Sequence, residues 1–269
     1  MSKQGIKARL GRWLGMETPR TGIALGGGGA KGFIHLGVIK ALYEEGVRID
    51  EIAGTSAGAI AGALIASGKD PITAHEILKT RDFFGYSKFN IPRVGLFGLD
   101  GLTNLIETEI EAQTFDELEI PFYASATNLH TGKIEYLNEG SLARAVTASS
   151  SIPFLFKPMH INGSIYSDGG IIDNLPITPL QKTCNRIIAV NISPIEEKEK
   201  LNSIFTIAVR TFEITVNARA VANKHKCSLF IEPEGIGNYD LFDIKKADEL
   251  FNLGYEHTKQ LLASKKKSG

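Results

Sequence analysis

Three short runs in this sequence carry residue types whose spacing suits one chemistry, the attack of an activated hydroxyl on an ester. The first is Gly54-Thr55-Ser56-Ala57-Gly58, a G-x-S-x-G. A nucleophilic serine there needs a sharp strand-to-helix turn that lifts its hydroxyl clear, and small neighbours that let the backbone pass close by. The flanking sequence predicts both, with a buried strand near 49–53 and a small-residue helix over 57–67 stopped by Gly68. The N-terminal amides of that helix favour negative charge beside Ser56.

The second run, Gly26-Gly27-Gly28-Gly29-Ala30-Lys31-Gly32, contains G-x-G-x-x-G at Gly27, Gly29 and Gly32. A dinucleotide-binding turn expects an acidic residue about 20 residues on, closing the second strand. Here that strand closes at the G-x-S-x-G, and Asp50 and Glu51 open it instead. No Lys-Ser/Thr pair follows the glycines, which excludes a P-loop. The remaining role is an oxyanion hole, with the amides of Gly27, Gly28 and Gly29 poised to bind charge on a tetrahedral intermediate. Lys31 either adds a cation there or is a solvated first-turn helix lysine. The third run is Asp168-Gly169-Gly170, following the β-type Ser164-Ile165-Tyr166-Ser167. Alone it reads as a turn; with the other two it supplies a carboxylate.

Taken in order, the three runs resemble the patatin-like phospholipases, whose pattern is G-G-G-x-(R/K)-G, then G-x-S-x-G, then D-G-(G/A). This chain matches at Gly27 to Gly32, Gly54 to Gly58 and Asp168 to Gly170, and the resemblance spans roughly residues 20–195. The blocks Ala148-Ser149-Ser150-Ser151-Ile152-Pro153 and Asn174-Leu175-Pro176 look like the bacterial branch. The resemblance implies a three-layer α/β/α fold around a central mixed, mostly parallel sheet. It also implies a Ser56–Asp168 dyad, an oxyanion hole at Gly27, Gly28, Gly29 and Lys31, and motif support from Gly32, Gly54, Gly58, Gly169 and Gly170. A lipid or other acyl ester is the implied substrate. Many members carry Arg where Lys31 stands, and Lys cannot bind oxygens bidentately. A free Asp, with a pKa of ~3.9, is a weak base, so the site must raise it or compensate at the oxyanion.

Three other readings stay open. A Ser-His-Asp esterase could use His225 or His257, which fit the chain order Ser, Asp, His. Acyl transfer to a lipid alcohol would use the same acyl-enzyme, and a non-catalytic lipid-binding module would keep the fold without the reaction. A His base is expected to fail below about pH 6.5, whereas an Asp dyad is expected to persist lower.

The elements that must position these residues alternate between short β-type and longer helical runs from Thr21 onward, which argues for a helix-covered parallel or mixed sheet. Strands are predicted at 21–25, 121–129, 133–137, 186–192 and 229–232, and helices at 30–45, 71–80, 201–226 and 247–263. Residues 82–99 break the alternation with Phe83, Phe84, Phe89, Ile91, Leu96 and Phe97 among glycines and polar residues, an apolar cap or a core-packed connection. One domain is expected, with a basic amphipathic segment at 1–20, the catalytic unit over 21–195 and a helical extension over 196–269.

Thirty basic and thirty acidic residues cancel, so nothing in the net charge calls for a nucleic-acid partner. Cys184 and Cys227 stand alone without a CxxC or Cys/His cluster, no calcium loop pattern is present, and neither a metal nor a cofactor is expected. No run reaches the roughly 18 apolar residues of a membrane span. Lys3, Lys7, Arg9, Arg12 and Arg20 flank Ile6, Leu10, Trp13 and Leu14 at helical spacing, which suits peripheral contact with an anionic membrane or simple docking on the core. The expected setting is the cytoplasm, with peripheral contact at the inner membrane surface.

Overall fold

The computed structural model describes residues 19–80, 98–195, 197, 201–241 and 243–268. The amphipathic run at 1–18 and the aromatic part of the 82–99 run lie outside them. Eight strands form one sheet: β1 Thr21–Leu25, β2 Glu51–Gly54, β3 Phe122–Asn128, β4 Lys133–Leu137, β5 Met159–Ile161, β6 Ser164–Asp168, β7 Arg186–Val190 and β8 Leu229–Ile231. Five run parallel in the order β3-β2-β1-β7-β8, with β1 at the centre. Every residue of β1 and β2 is buried, as expected of central parallel strands covered on both faces.

Side chains alternate across the sheet with the period of two that strands impose. Ile23, Leu25, Ile52, Ile188 and Val190 point into the main core. That core is built on α1 Phe33–Glu44, α2 Ala57–Ala66, α3 Pro71–Thr80, α4 Asp100–Glu109 and α5 Leu142–Ser149. Ala24, Ala53 and Ala189 face the other way, onto Leu175, Ile177, Leu180 and Cys184. The small alanine face thus carries a thin cover of loop and short 3-10 turn in that region.

The last two helices are α6 Ile204–Asn223 and α7 Ala247–Ser268. Helices α1 and α7 cross in backbone contact, because a Cβ on Gly37 would lie 1.9 Å from the Phe251 carbonyl oxygen and one on Gly254 2.3 Å from that of Ile34. Residues 196–269, expected as a helical extension, also supply β8, which pairs with β7 and belongs to the sheet. No helix among the described residues is long and apolar enough to cross a membrane.

One registration brings the site together. Ala124 of β3 pairs with Gly54 of β2 and with Leu137 of β4, while Ala126 pairs with Asp168 of β6 and with Glu135 of β4. A strand has two edges, and β4 occupies one of them from Ala124 to Asn128. The other edge is therefore shared: β2 runs parallel along its first half and stops at Gly54, and β6 runs antiparallel along its second half and stops at Asp168. The two strands end head to head, two β3 residues apart, or roughly 7 Å at the usual strand rise.

Candidate active site

The chain leaves β2 at Gly54, turns at Ser56 with φ 53° and ψ −121°, and enters α2 at Ala57. A left-handed backbone at a non-glycine residue costs about 1–3 kcal/mol and persists only where the surroundings hold it. The surroundings do so here. Ser56 N–H donates to Ser149 Oγ at 2.9 Å, and Thr55 N–H donates to the Leu25 carbonyl at 3.0 Å. Gly54 and Gly58 allow the tight approach, since a Cβ on Gly54 would lie 2.4 Å from the Gly58 carbonyl oxygen and one on Gly58 2.1 Å from that of Leu25.

Asp168 closes β6 and opens a short 3-10 turn, where its Oδ1 accepts the Gly170 N–H at 2.7 Å. Its own N–H donates to the Ser151 carbonyl at 2.9 Å, and Thr127 Oγ1 donates to its carbonyl at 2.9 Å, so its backbone is pinned from two sides. Gly169 backs directly onto Ser125. Burial pushes the Asp168 carboxyl from 3.8 up to about 7, with the Ser56 side chain and the Gly170 N–H pulling part of the way back. Ser56 is thus close enough to favour the charged form, yet no hydrogen bond of full geometry reaches Oδ2. Its lone pairs are open to a proton. With the carboxyl raised that far, an Asp168 base would titrate in the range of a histidine, so the acid limb alone does not separate the aspartate from the histidine reading.

The glycine loop is held by three side chains, two of them from distant parts of the chain. Asn174 Oδ1 accepts the Gly27 N–H at 3.1 Å while its Nδ2 donates to the Gly27 carbonyl at 3.3 Å. Ser193 Oγ donates to the same carbonyl at 2.6 Å. His35, fully buried on α1, bonds the Gly26 carbonyl through Nε2 at 2.7 Å. Burial lowers the His35 pKa to about 4, so the ring is neutral with its proton on Nε2, because a carbonyl can only accept. The Gly27 amide is therefore engaged, whereas those of Gly28 and Gly29 donate to no acceptor among the described residues. Gly29 has φ 58°, and a Cβ there would lie 2.2 Å from the Leu241 carbonyl oxygen. Gly32 abuts Ala57, tying the loop to the serine turn.

Ser56, Asp168, Gly27, Gly28 and Gly29 meet in one cavity of about 300 Å³. Asn174, Ile152, Ser193 and Leu241 complete it together with Phe212, Glu213 and Val216 of α6. Lys31 is not part of this lining; it is buried and lines an adjoining cavity of about 480 Å³ with Glu197, Arg210 and Glu213. No histidine lines the Ser56 cavity among the described residues. His225 lies exposed just beyond α6 and His257 is on α7. His75, Glu76 and Asp248 cluster elsewhere, but His75 Nε2 and Lys79 Nζ both bond Asp248 at 2.8 Å, and an ion-pair network accounts for the group.

Sequence reasoning assigned no role to His35, Ser149, Ser193 or the α6 residues. Asn174 was visible, as part of the block after Asp168, though not as the partner of Gly27.

A strained serine at a parallel strand end, a buried carboxylate at an opposing strand end and a clamped glycine loop define an α/β protein with a serine–carboxylate site. Residues 23–180, more than half of the chain, match the family described as Patatin-like phospholipase, and the chain belongs to that family. An uncharacterized NTE family protein of Mycobacterium bovis is 36% identical over 168 residues, covering 62% of this chain and 47% of that protein. Lysophospholipase NTE1 of Meyerozyma guilliermondii is 28% identical over 303 positions, covering 97% of this chain and 20% of that protein. The chain thus spans about half or less of the length of these curated relatives. Among solved structures, VipD of Legionella pneumophila shares the fold with a TM-score of 0.54 at 17% identity, covering 92% of this chain and 67% of that one.

Proposed function

We propose that this chain is a serine acyl hydrolase of the phospholipase A or lysophospholipase type, working through a Ser56–Asp168 dyad. The observation that carries the reading is the head-to-head ending of β2 and β6 on one edge of β3, which sets a nucleophile and a base against one cavity. In the acylation step Ser56 Oγ attacks the ester carbonyl as its proton passes to Asp168. The carbonyl oxygen takes up negative charge and is stabilised by the Gly28 and Gly29 amides at the helix N-terminus. Collapse breaks the bond to the alcohol, which leaves with the proton from Asp168, and Ser56 holds the acyl group. Water then gives its proton to Asp168 and attacks the acyl carbonyl, and the fatty acid leaves as Asp168 returns that proton to Ser56 Oγ. Lipid substrates are supported by family membership and by the name of the fungal relative, a lysophospholipase.

The test is hydrolysis of a lysophospholipid and of short and long acyl esters by wild type, Ser56→Ala and Asp168→Asn, each checked for folding by circular dichroism. Both folded variants are expected to lose at least ~10³-fold in kcat, within the combined range of base and nucleophile catalysis. A fluorophosphonate should label wild type at Ser56 and leave Ser56→Ala unlabelled. Ser56→Ala hydrolysing esters at the wild-type rate would end this reading.

A further inference from the structure

The outward face of α6 is uncharged, with three isoleucines exposed among Thr206, Thr211 and Thr215. Ile204, Ile207, Thr211 and Ile214 follow one another at helical spacing on one side. Ile204 is 88% exposed, and Ile207 and Ile214 are 49% and 48% exposed. The charged residues between Ile204 and Asn217 are Arg210 and Glu213, which pair with each other at 3.1 Å on the half-buried side. On the inward side, Val209 packs on the core and Phe212 and Val216 wall the Ser56 cavity. A helix that carries large apolar residues on both sides is built to be covered on both.

A second feature, on the segment that carries the cavity-lining Ile152, is independent of the helix. Phe154, two residues beyond the cavity-lining Ile152, has φ 68° and is 73% exposed. Bulky side chains rarely adopt a left-handed backbone, and this one gains no burial in return. The turn seats Leu155 and Phe156 in the core and leaves the Phe154 ring alone at the surface. Aromatic rings are favoured at the boundary between headgroups and acyl chains.

We infer that the outward face of α6 and Phe154 together form a docking surface for an anionic lipid layer, presenting the mouth of the Ser56 cavity to lipid held there. The inference rests on the reading of the chain as a lipid acyl hydrolase. Two observations select this occupant. Both apolar features sit on segments that also line the cavity, through Phe212 and Val216 of α6 and through Ile152 two residues before Phe154. The helix also ends in the exposed basic run Lys224, His225 and Lys226, which suits anionic headgroups beside an inserted apolar face.

The experiment is flotation with phosphatidylcholine vesicles containing or lacking phosphatidylglycerol, using Ser56→Ala protein so that no lipid is consumed. Adding Ile204→Glu, Ile207→Glu and Ile214→Glu together is expected to weaken binding to the anionic vesicles at least tenfold, and Phe154→Asn alone several-fold. With Ser56 restored, both variants should hydrolyse a soluble short-chain ester within twofold of wild type. Phe154→Asn should melt no lower than wild type, because asparagine tolerates the left-handed backbone, so its lost binding is not lost folding. Ile207→Trp in a Trp13→Phe background leaves a single indole on this face, whose emission should shift to the blue on anionic vesicles. Unchanged flotation of both variants, or no flotation of the starting protein, would overturn the proposal. Conversion of a dimer to a monomer by the isoleucine changes, with flotation intact, would also overturn it and assign the face to a second copy. Loss of flotation only on deleting residues 1–18 would overturn it as well. Soluble-ester hydrolysis that does not need Ser56 would instead sink the hydrolase reading, and flotation is scored separately from it.

Discussion

Replacing Asp168 by asparagine is expected to make the folded protein more stable, by an amount that depends on pH in a defined way. The amide side chain keeps an oxygen for the Gly170 N–H and removes a carboxylate that burial keeps out of water. The carboxyl stands at about 7 in the folded protein against 3.8 in the unfolded chain. A shift of that size corresponds to about 4 kcal/mol at most, at 1.36 kcal/mol per unit. Below pH 4 both states hold the proton and the charge costs nothing. Between pH 4 and 7 the unfolded chain ionises while the folded one does not, so wild-type stability falls relative to the variant as pH rises. Above pH 7 both states are ionised and the difference is constant. For a chain of this size the full effect is a melting-temperature gap of roughly 10 °C. Thermal melts at pH 4, 5.5, 7 and 8.5 on Ser56→Ala and Ser56→Ala/Asp168→Asn would measure it without interference from turnover. A gap that stays the same from pH 4 to 8.5, or a wild-type carboxylate that proves the more stable partner at pH 8.5, would refute the claim that burial sets this group.

The same raised value predicts that kcat/KM falls about tenfold per pH unit below pH 7, and that this acid limb moves little with temperature, since carboxyl ionisation is nearly athermal; a limb that shifts down on warming as imidazole does would implicate a histidine. Asn174→Ala frees the Gly27 peptide and is expected to lower kcat ~10²-fold, like the loss of an oxyanion donor, with KM within about twofold; a KM effect alone would reassign Asn174 to substrate binding. Ser56→Gly is expected to melt above Ser56→Ala by the equivalent of about 1–2 kcal/mol, because glycine accepts the left-handed turn without strain; equal melting would mean the elbow stores no strain. EDTA is expected to leave ester hydrolysis unchanged, and inhibition reversed by a divalent ion would refute the metal-free scheme.

The strands and helices that could be read from sequence were those whose pattern is strong and local. Strand β1 and helix α3 match the expected bounds at 21–25 and 71–80, because a fully apolar run and a Pro at the first helical position are unambiguous signals. Strand β5 and helices α4 and α5 were not anticipated. The β5–β6 hairpin does carry a signal, Asn162-Gly163, both with positive φ, the pair that two-residue hairpins favour; three-residue β5 is too short to show alternation. The three motifs were legible as a group, but which glycine amide stays open was not. That depends on Asn174, 147 residues from Gly27, and on a β3 edge shared by two strands, neither of which leaves a local trace. Glu213 and its neighbours on α6 gave no sign of facing the site, since a long helix with apolar residues reads the same whichever side meets a cavity.

The glycine loop leans on Leu241, and helix α1 lies against α7 through Gly37, Phe251 and Gly254. Residues that shape the proposed oxyanion loop are therefore buttressed by residues made about two hundred positions later. On the ribosome, a growing chain would have Ser56 and Asp168 in hand long before these supports emerge, while domains complete their folding as units. Under the proposed function, activity would wait until the stretch through Gly254 has docked. A nascent hydrolase would thus stay inactive between the making of its dyad and the docking of its supports, a delay set by chain order alone.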